Sequence, residues 1–356
     1  MLEKIVKISP GNFRLLLAVS VMIYHSTAFL AFGHAMVYMF FMLSGYWIFR
    51  MYEEKYSTFK SPYLVYIQSR FFRLYPVYLL ILAISVFSFY FLSDQWPTVL
   101  EKNKDSNLAV NFINNVLVLP NSFVKGFWYI VPAWSLSVEL QFYIFAPLLL
   151  LILKNKTWSV VLVVASSVFC MVGSTLKWSI FEIESLLIFL PYFLIGGLIY
   201  TLNLKVGYAG ARNSLLLAVL LTLVTHAIPS VREAVLSTKT ELYGLNVRKC
   251  FNLLLAVSTI PFIIFNIRQP VQNRDRDMLA SSISFVIYLL HWPFLAIYAT
   301  SVRNVGIVQK TVHILLYWII SFVVSYFISK YYDQYLESKR RKWLKGKPTL
   351  EIVNAN

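Results

Sequence analysis

Apolar runs of about 17–22 residues recur along this chain, each closed by charges or turn residues, and they constrain its fold more than any other feature. They fall at roughly 13–32, 34–50, 71–92, 133–153, 157–174, 183–202, 213–230, 250–267, 279–300 and 312–331. A helix of that length crosses the hydrocarbon core of a bilayer, and such a run is too long for a barrel strand. Backbone in lipid must satisfy its own polar groups, so the expected fold is all-α: a polytopic membrane bundle of about ten transmembrane helices. Composition agrees. Hydrophobic residues make up 58% of the chain and charged residues 13%, more apolar surface than a soluble fold could bury. The aromatic content of 17% suits a protein with two headgroup boundaries to line.

The net charge of +16 would suit nucleic-acid binding, but the chain offers no soluble basic element to read a groove. Retention of basic loops beside an anionic leaflet explains the same charge. With the N-terminus inside, 22 of the 32 Lys and Arg residues fall on inside segments, so both termini are expected to be cytoplasmic. We divide the chain into a transmembrane domain, 1–335, and a basic cytoplasmic tail, 336–356, whose Lys339-Arg340-Arg341-Lys342 run reads as a leaflet anchor. The connection 93–132 is longer than a turn needs and reads as a lid or acceptor-binding element. Cys170 and Cys250 lack metal-ligand or redox spacing, so no metal site is expected. Lys4, Lys7 and Arg14 precede an apolar run as in a signal peptide, but His25 interrupts it and no clean cleavage pattern follows. A retained first helix is expected.

Ionisable groups within a bilayer are costly and tend to mark functional paths. Arg14 and His25 are eleven residues apart, about 20° beyond three full helical turns, and so share a face about 16.5 Å apart. Imidazole can take and return a proton near neutrality. The spacing serves a topogenic flank and an interhelical contact equally well. Arg70 and Arg73, at i and i+3, form a fork for phosphates at the entrance of the third span, or ordinary positive-inside flanking. Glu139 lies inside the span 133–153, where it is costly unless bonded; it could orient His25, stabilise positive charge or make a structural ion pair. Trp134 and Ser135 would shape a pocket beside it. Ser281, Ser284, Tyr288 and His291 follow 3-4-3 spacing and make one polar stripe, which can line a cavity or join helices; joining is favoured. His226 and His313 look unsupported and His34 reads as a turn cap, so none of the three receives a role.

Together these segments resemble the membrane acyltransferase 3 family, which includes O-antigen and other polysaccharide O-acetylases. Arg14 and His25 match its R-x10-H signature, FFMLSGYWI at 40–48 its F-x-L-S-G-[FY] helix, RFFRLYPVY at 70–78 its R-x-x-R-x-Y-P segment and WSLSVELQFY at 134–143 its W-S-L-x-x-E block. YLLHWP at 288–293 is similar to a late Y-L-x-H-x-P element. Each piece is weakly specific; their order over residues 11–295 is not. Two departures stand out: Gly11 where many members have Asp, and Leu140 where many have a second Glu. Some members also append an extracytoplasmic hydrolase-like domain; here acceptor binding is expected to fall to loops or partners.

The resemblance implies a multi-pass protein of a bacterial inner membrane that moves an acyl group, with acetyl expected, from cytoplasmic acyl-CoA to a hydroxyl of a sugar or lipid-linked glycan. Acetyl-CoA would be a donor substrate, with no cofactor held permanently. Arg70 and Arg73 would hold its phosphates, and His25 would serve as base or acyl relay. Arg14 would stabilise developing charge and Glu139 would orient a partner. Ser44, Tyr46, Tyr75, Trp134, Ser135, Tyr288 and His291 would line the pocket, with Gly45 permitting close helix approach. The rivals are a secondary transporter using the same buried charges and a non-catalytic scaffold.

Overall fold

The structure, a computed structural model, describes residues 6–27, 32–94, 96–97, 101, 107–124, 126–176, 184–237, 240–242, 245–303 and 305–350. Residues 28–31 of the first expected span, residue 183, parts of the 93–132 connection and the tail beyond 350 lie outside them. The described chain is almost wholly helical: α1 (Pro10–Ser26), α2 (Gly33–Glu54), α3 (Pro62–Phe87), α4 (Leu108–Leu117), α5 (Ala133–Leu153), α6 (Lys156–Thr175), α7 (Leu186–Thr201), α8 (Tyr208–Ala227), α9 (Pro229–Leu236), α10 (Val247–Ser258), α11 (Ile260–Ile267), α12 (Arg274–Ser301), α13 (Ile307–Phe327) and α14 (Gln334–Lys345). A two-residue hairpin pairs Glu241 with Asn246 before α10.

Seven helices among the described residues are long and apolar enough to cross a membrane. Three expected spans fall short of that measure, for different reasons. α1 and α7 are only 17 and 16 residues long. α2 has the length, but Gly, Ser, Tyr and His dilute its apolar character, and much of it is buried among other helices. A helix wrapped by protein has no need of a lipid-soluble surface. α6 and α8 are the opposite case, exposing Val160, Val164, Val168, Leu216, Leu220 and Leu223, the faces that lipid would cover.

Caps, rather than hydropathy, decide where helices begin. Pro10 and Pro62 occupy the first turns of α1 and α3, where a missing N–H costs nothing, so both helices start before their apolar runs. Asn273 caps α12 with Asp275 and Asp277 in its positive first turn. At the other extreme α13 passes through a π turn at Ile328–Asp333 into α14. One helical run thus spans Ile307–Lys345, and the boundary we drew at 335/336 falls inside it.

The packing centres on two close pairs, α1 along α12 and α2 along α7. At the second, Gly45 and Gly196 face opposite backbones: a Cβ at Gly45 would meet the Phe193 carbonyl, and one at Gly196 the Met42 carbonyl. Small residues let helices approach in lipid, where the hydrophobic effect does not hold them together. Gly45→Ala or Gly196→Ala should each destabilise the protein by roughly 1–3 kcal/mol through overpacking. A lower melting temperature in detergent would register this, and an unchanged one would mean that the helices part without cost.

The 93–132 connection is not a free lid in its described part. The Tyr75 hydroxyl donates to the carbonyls of Val116 (2.9 Å) and Leu117 (2.7 Å), and Tyr78 donates to that of Asn115 (2.5 Å). These bonds lash the end of α4 to the middle of α3. Asn111 and Asn115 then bind the backbone of Phe127 and Tyr129, closing the segment on itself.

Candidate active site

One cavity of about 320 Å3 lies between α1, α2, α3, α5 and α12, with Asp333 beyond α13 also on its wall. Arg14, Ser44, Arg70, Arg73, Ser135, Glu139 and Tyr288 all line it, joined by Ser281 and Ser284. The serine stripe on α12 therefore faces a cavity over most of its length, where joining helices was the favoured expectation. Five helices far apart in sequence contribute to this one space.

Its charges are unusual. Arg14, Arg70 and Arg73 lie on the cavity, yet among the described residues none has a carboxylate within ion-pairing distance. Arg70 is only 3% exposed and is caged by three tyrosine rings, Tyr56, Tyr66 and Tyr143, at 5.5, 5.8 and 5.9 Å. Its Nη2 makes only long contacts, 3.4 Å each, to Tyr56 Oη and Met51 Sδ, and its Nε is buried without a partner. Aromatic faces attract a guanidinium and hold its plane, but they leave its N–H groups unsatisfied. A buried guanidinium with spare donors is suited to bonding an anion.

Glu139 occupies the other wall. Its Oε1 accepts from Ser44 Oγ (2.9 Å) and Tyr143 Oη (2.7 Å). Those two hydroxyls make an intramembrane carboxylate tolerable, and they tie it to the Arg70 cage through Tyr143. The expected contacts of Glu139 with His25 or in an ion pair are not formed. Ser135 Oγ shares a hydrogen bond with Tyr288 Oη at 2.8 Å, and the Tyr288 ring meets Phe40 edge-on at 5.7 Å. This pair lines the end of the cavity toward His291.

His25 lies beyond it. Its ring stacks on His291 at 5.4 Å and meets Trp292 edge-on at 5.5 Å, and His291 in turn lies 6.3 Å from Tyr288. His291 is fully buried, with Nδ1 at 3.0 Å from the Ile287 carbonyl and Nε2 unpartnered. A file of rings, Tyr288–His291–His25, thus runs from the arginine-lined cavity toward the C-terminal end of α1. Arg14 and His25 do not line the same space, because about three helical turns separate them and Tyr288 intervenes. Tyr46, Tyr75, Trp134 and His291 do not line the cavity either. Tyr46 packs on Trp47 and Tyr200, Tyr75 holds α4, Trp134 stacks on Phe189 behind the wall, and His291 sits behind Tyr288.

A family model described as an acyltransferase domain matches residues 9–330. The chain belongs to the acyltransferase 3 family. No curated protein and no solved structure matches it.

The fold accounts for both departures from the family pattern. In this acyltransferase the Gly11 N–H donates to Asp277 Oδ1 at 2.8 Å, and a Cβ at position 11 would collide with the Asp277 backbone. The carboxylate over the start of α1 comes from α12 instead, and it lines the cavity. Leu140 is 1% exposed in the core, about 100° around α5 from Glu139, where a carboxylate would be costly unless bonded. Sequence reasoning missed Asp277, Asp333 and Tyr143. Asp277 could be read as a first-turn acid of α12, but its proximity to Gly11 spans 266 residues and has no local signal.

Proposed function

We propose that this acyltransferase moves an acyl group, with acetyl expected, from cytoplasmic acyl-CoA to a hydroxyl of a sugar or lipid-linked glycan. One observation carries the reading: Arg14, Arg70 and Arg73 gather on a single cavity, and among the described residues none lies within ion-pairing distance of a carboxylate, those of Glu139, Asp277 and Asp333 on the same cavity included. A donor bearing several phosphates would bond the free N–H groups of these guanidiniums. The cavity volume, about 320 Å3, suits the narrow end of such a donor rather than the whole of it. The adenosine end would then lie at the mouth.

In this reading α1, α2 and α7 cross the membrane with the seven more apolar helices, making ten crossings and leaving both termini cytoplasmic. Arg70 and Arg73 hold phosphates at the cytoplasmic mouth. Arg14, one helix away, faces negative charge that develops on the thioester oxygen during transfer. The acyl carbon points along Ser135 toward Tyr288 and Phe40. His25 receives the acceptor from the opposite side of that contact, which must part for reaction. As base, its imidazole takes the hydroxyl proton as the new O–C bond forms; the C–S bond breaks and the coenzyme leaves as thiolate. As relay, the imidazole would carry the acyl group itself. A bacterial inner membrane provides the two compartments this arrangement needs.

Membranes bearing the chain, supplied with acetyl-CoA labelled in its acetyl group, should lose label from the coenzyme and gain it on a carbohydrate-containing fraction. Label that stays on the coenzyme at the rate seen in control membranes would remove the reading.

A further inference from the structure

The stretch after residue 330 lies beyond the family match, yet it forms part of the cavity. Asp333, at the end of the π turn, lines it and accepts from Ser282 Oγ. α14 continues this run and packs against α3. Leu344 and Arg340 face inward, 4% and 7% exposed, while Lys339, Lys342 and Lys345 stay outside. The chain closes by clipping onto the 56–60 turn: Leu350 N–H donates to the Thr58 carbonyl at 2.8 Å and Lys60 N–H to the Pro348 carbonyl at 3.1 Å. A basic anchor resting on a leaflet would turn all its cations outward. Arg340 does the reverse.

Every nitrogen of the Arg340 guanidinium is used. Nε and Nη2 grip Glu337 at 2.8 and 2.7 Å, and Nη1 donates to Ser69 Oγ at 2.5 Å. Ser69 shares a hydrogen bond with Tyr56 Oη at 2.8 Å, and Tyr56 Oη accepts from Arg70. Ser69 and Tyr56 are both fully buried. The two arginines are therefore ends of one chain of hydrogen bonds, Arg340–Ser69–Tyr56–Arg70, each donating into it. Tyr56 is also the ring nearest Arg70 in its aromatic cage.

We propose that the C-terminal segment from Ile328 to Leu350 is a wall of the donor site and that Arg340 is a positioning residue, orienting Arg70 for a phosphate through Ser69 and Tyr56. This rests on the coenzyme reading above. A lysine at 340 could meet Glu337 or Ser69, but a single ammonium cannot grip both as a planar fork does.

The test uses the full chain in lipid nanodiscs with coenzyme A as probe, measuring the dissociation constant by calorimetry and the rise in melting temperature that coenzyme A produces. Tyr56→Phe, which removes one hydroxyl, should weaken binding about threefold to tenfold, the net worth of one ordinary hydrogen bond. Arg340→Met should weaken it at least tenfold, with Arg340→Lys between the wild type and Arg340→Met. In each, the coenzyme-induced rise should shrink. A tail that serves stability alone would lower the melting temperature of the free protein and leave both the rise and the dissociation constant unchanged, overturning the proposal. If Arg340→Met fails to fold, Tyr56→Phe decides by the same two measurements. A wild type that does not bind coenzyme A would instead remove the donor reading, and this inference with it.

Discussion

Arg70→Met should weaken coenzyme A binding by roughly 30-fold or more, the largest change in donor affinity expected from any single substitution here. The physical reason is desolvation. Arg70 is 3% exposed and its cage offers ring faces instead of acceptors, so its charge is already stripped of water before the ligand arrives. A phosphate then meets a donor that has little hydration left to lose. Removing one partner of a buried, hydrogen-bonded charge pair costs about 2–5 kcal/mol, and every 1.4 kcal/mol is tenfold. The loss of Arg73, which is only partly buried, should be smaller. Calorimetric titration of the two variants in nanodiscs measures the order directly. Equal affinities for wild type and Arg70→Met would return Arg70 to the role of a topology signal.

His25→Ala should abolish transfer while leaving coenzyme A binding within about twofold of wild type. Loss of a general base costs roughly 10²- to 10⁴-fold in rate. The retained affinity follows from position: His25 stands behind Tyr288 and His291, outside the cavity where the donor would sit. A single-site model, with imidazole and guanidiniums around one ligand, predicts instead that both quantities fall. Transfer at the wild-type rate, in protein expressed at the normal level, would exclude His25 from the chemistry. A fall in donor affinity equal to that of Arg70→Met would show that the ring file does not divide the site.

These expectations depend unequally on sequence and on structure. Helical periodicity was enough to place Arg14 and His25 on one face and to gather Ser281, Ser284 and Tyr288 into a stripe, because 3.6 residues per turn is a property of the backbone alone. The stripe proved to do both: Ser281, Ser284 and Tyr288 line the cavity, while Tyr288 and His291 join α12 to Ser135 and His25. Whether a polar face meets a neighbour or a void depends on what packs opposite, and here α2, α3 and α5 leave a void. The same limit applies to α2 itself. Its tyrosines, glycines and serine look too polar for lipid, and only the burial against α7 explains why they are tolerated.

By itself, then, the sequence determined that this is a helical membrane protein, which residues face each way around a given helix axis, and which family the chain resembles. Those follow from local chemistry: transfer to lipid, backbone satisfaction and turn geometry act on neighbouring residues. Tertiary structure alone decided that Arg14 and His25 stand on opposite sides of Tyr288, that Asp277 covers Gly11, and that Arg340 reaches Ser69 across 271 residues. Such pairings arise when helices distant in the chain pack ridge against groove, and no local preference encodes that contact.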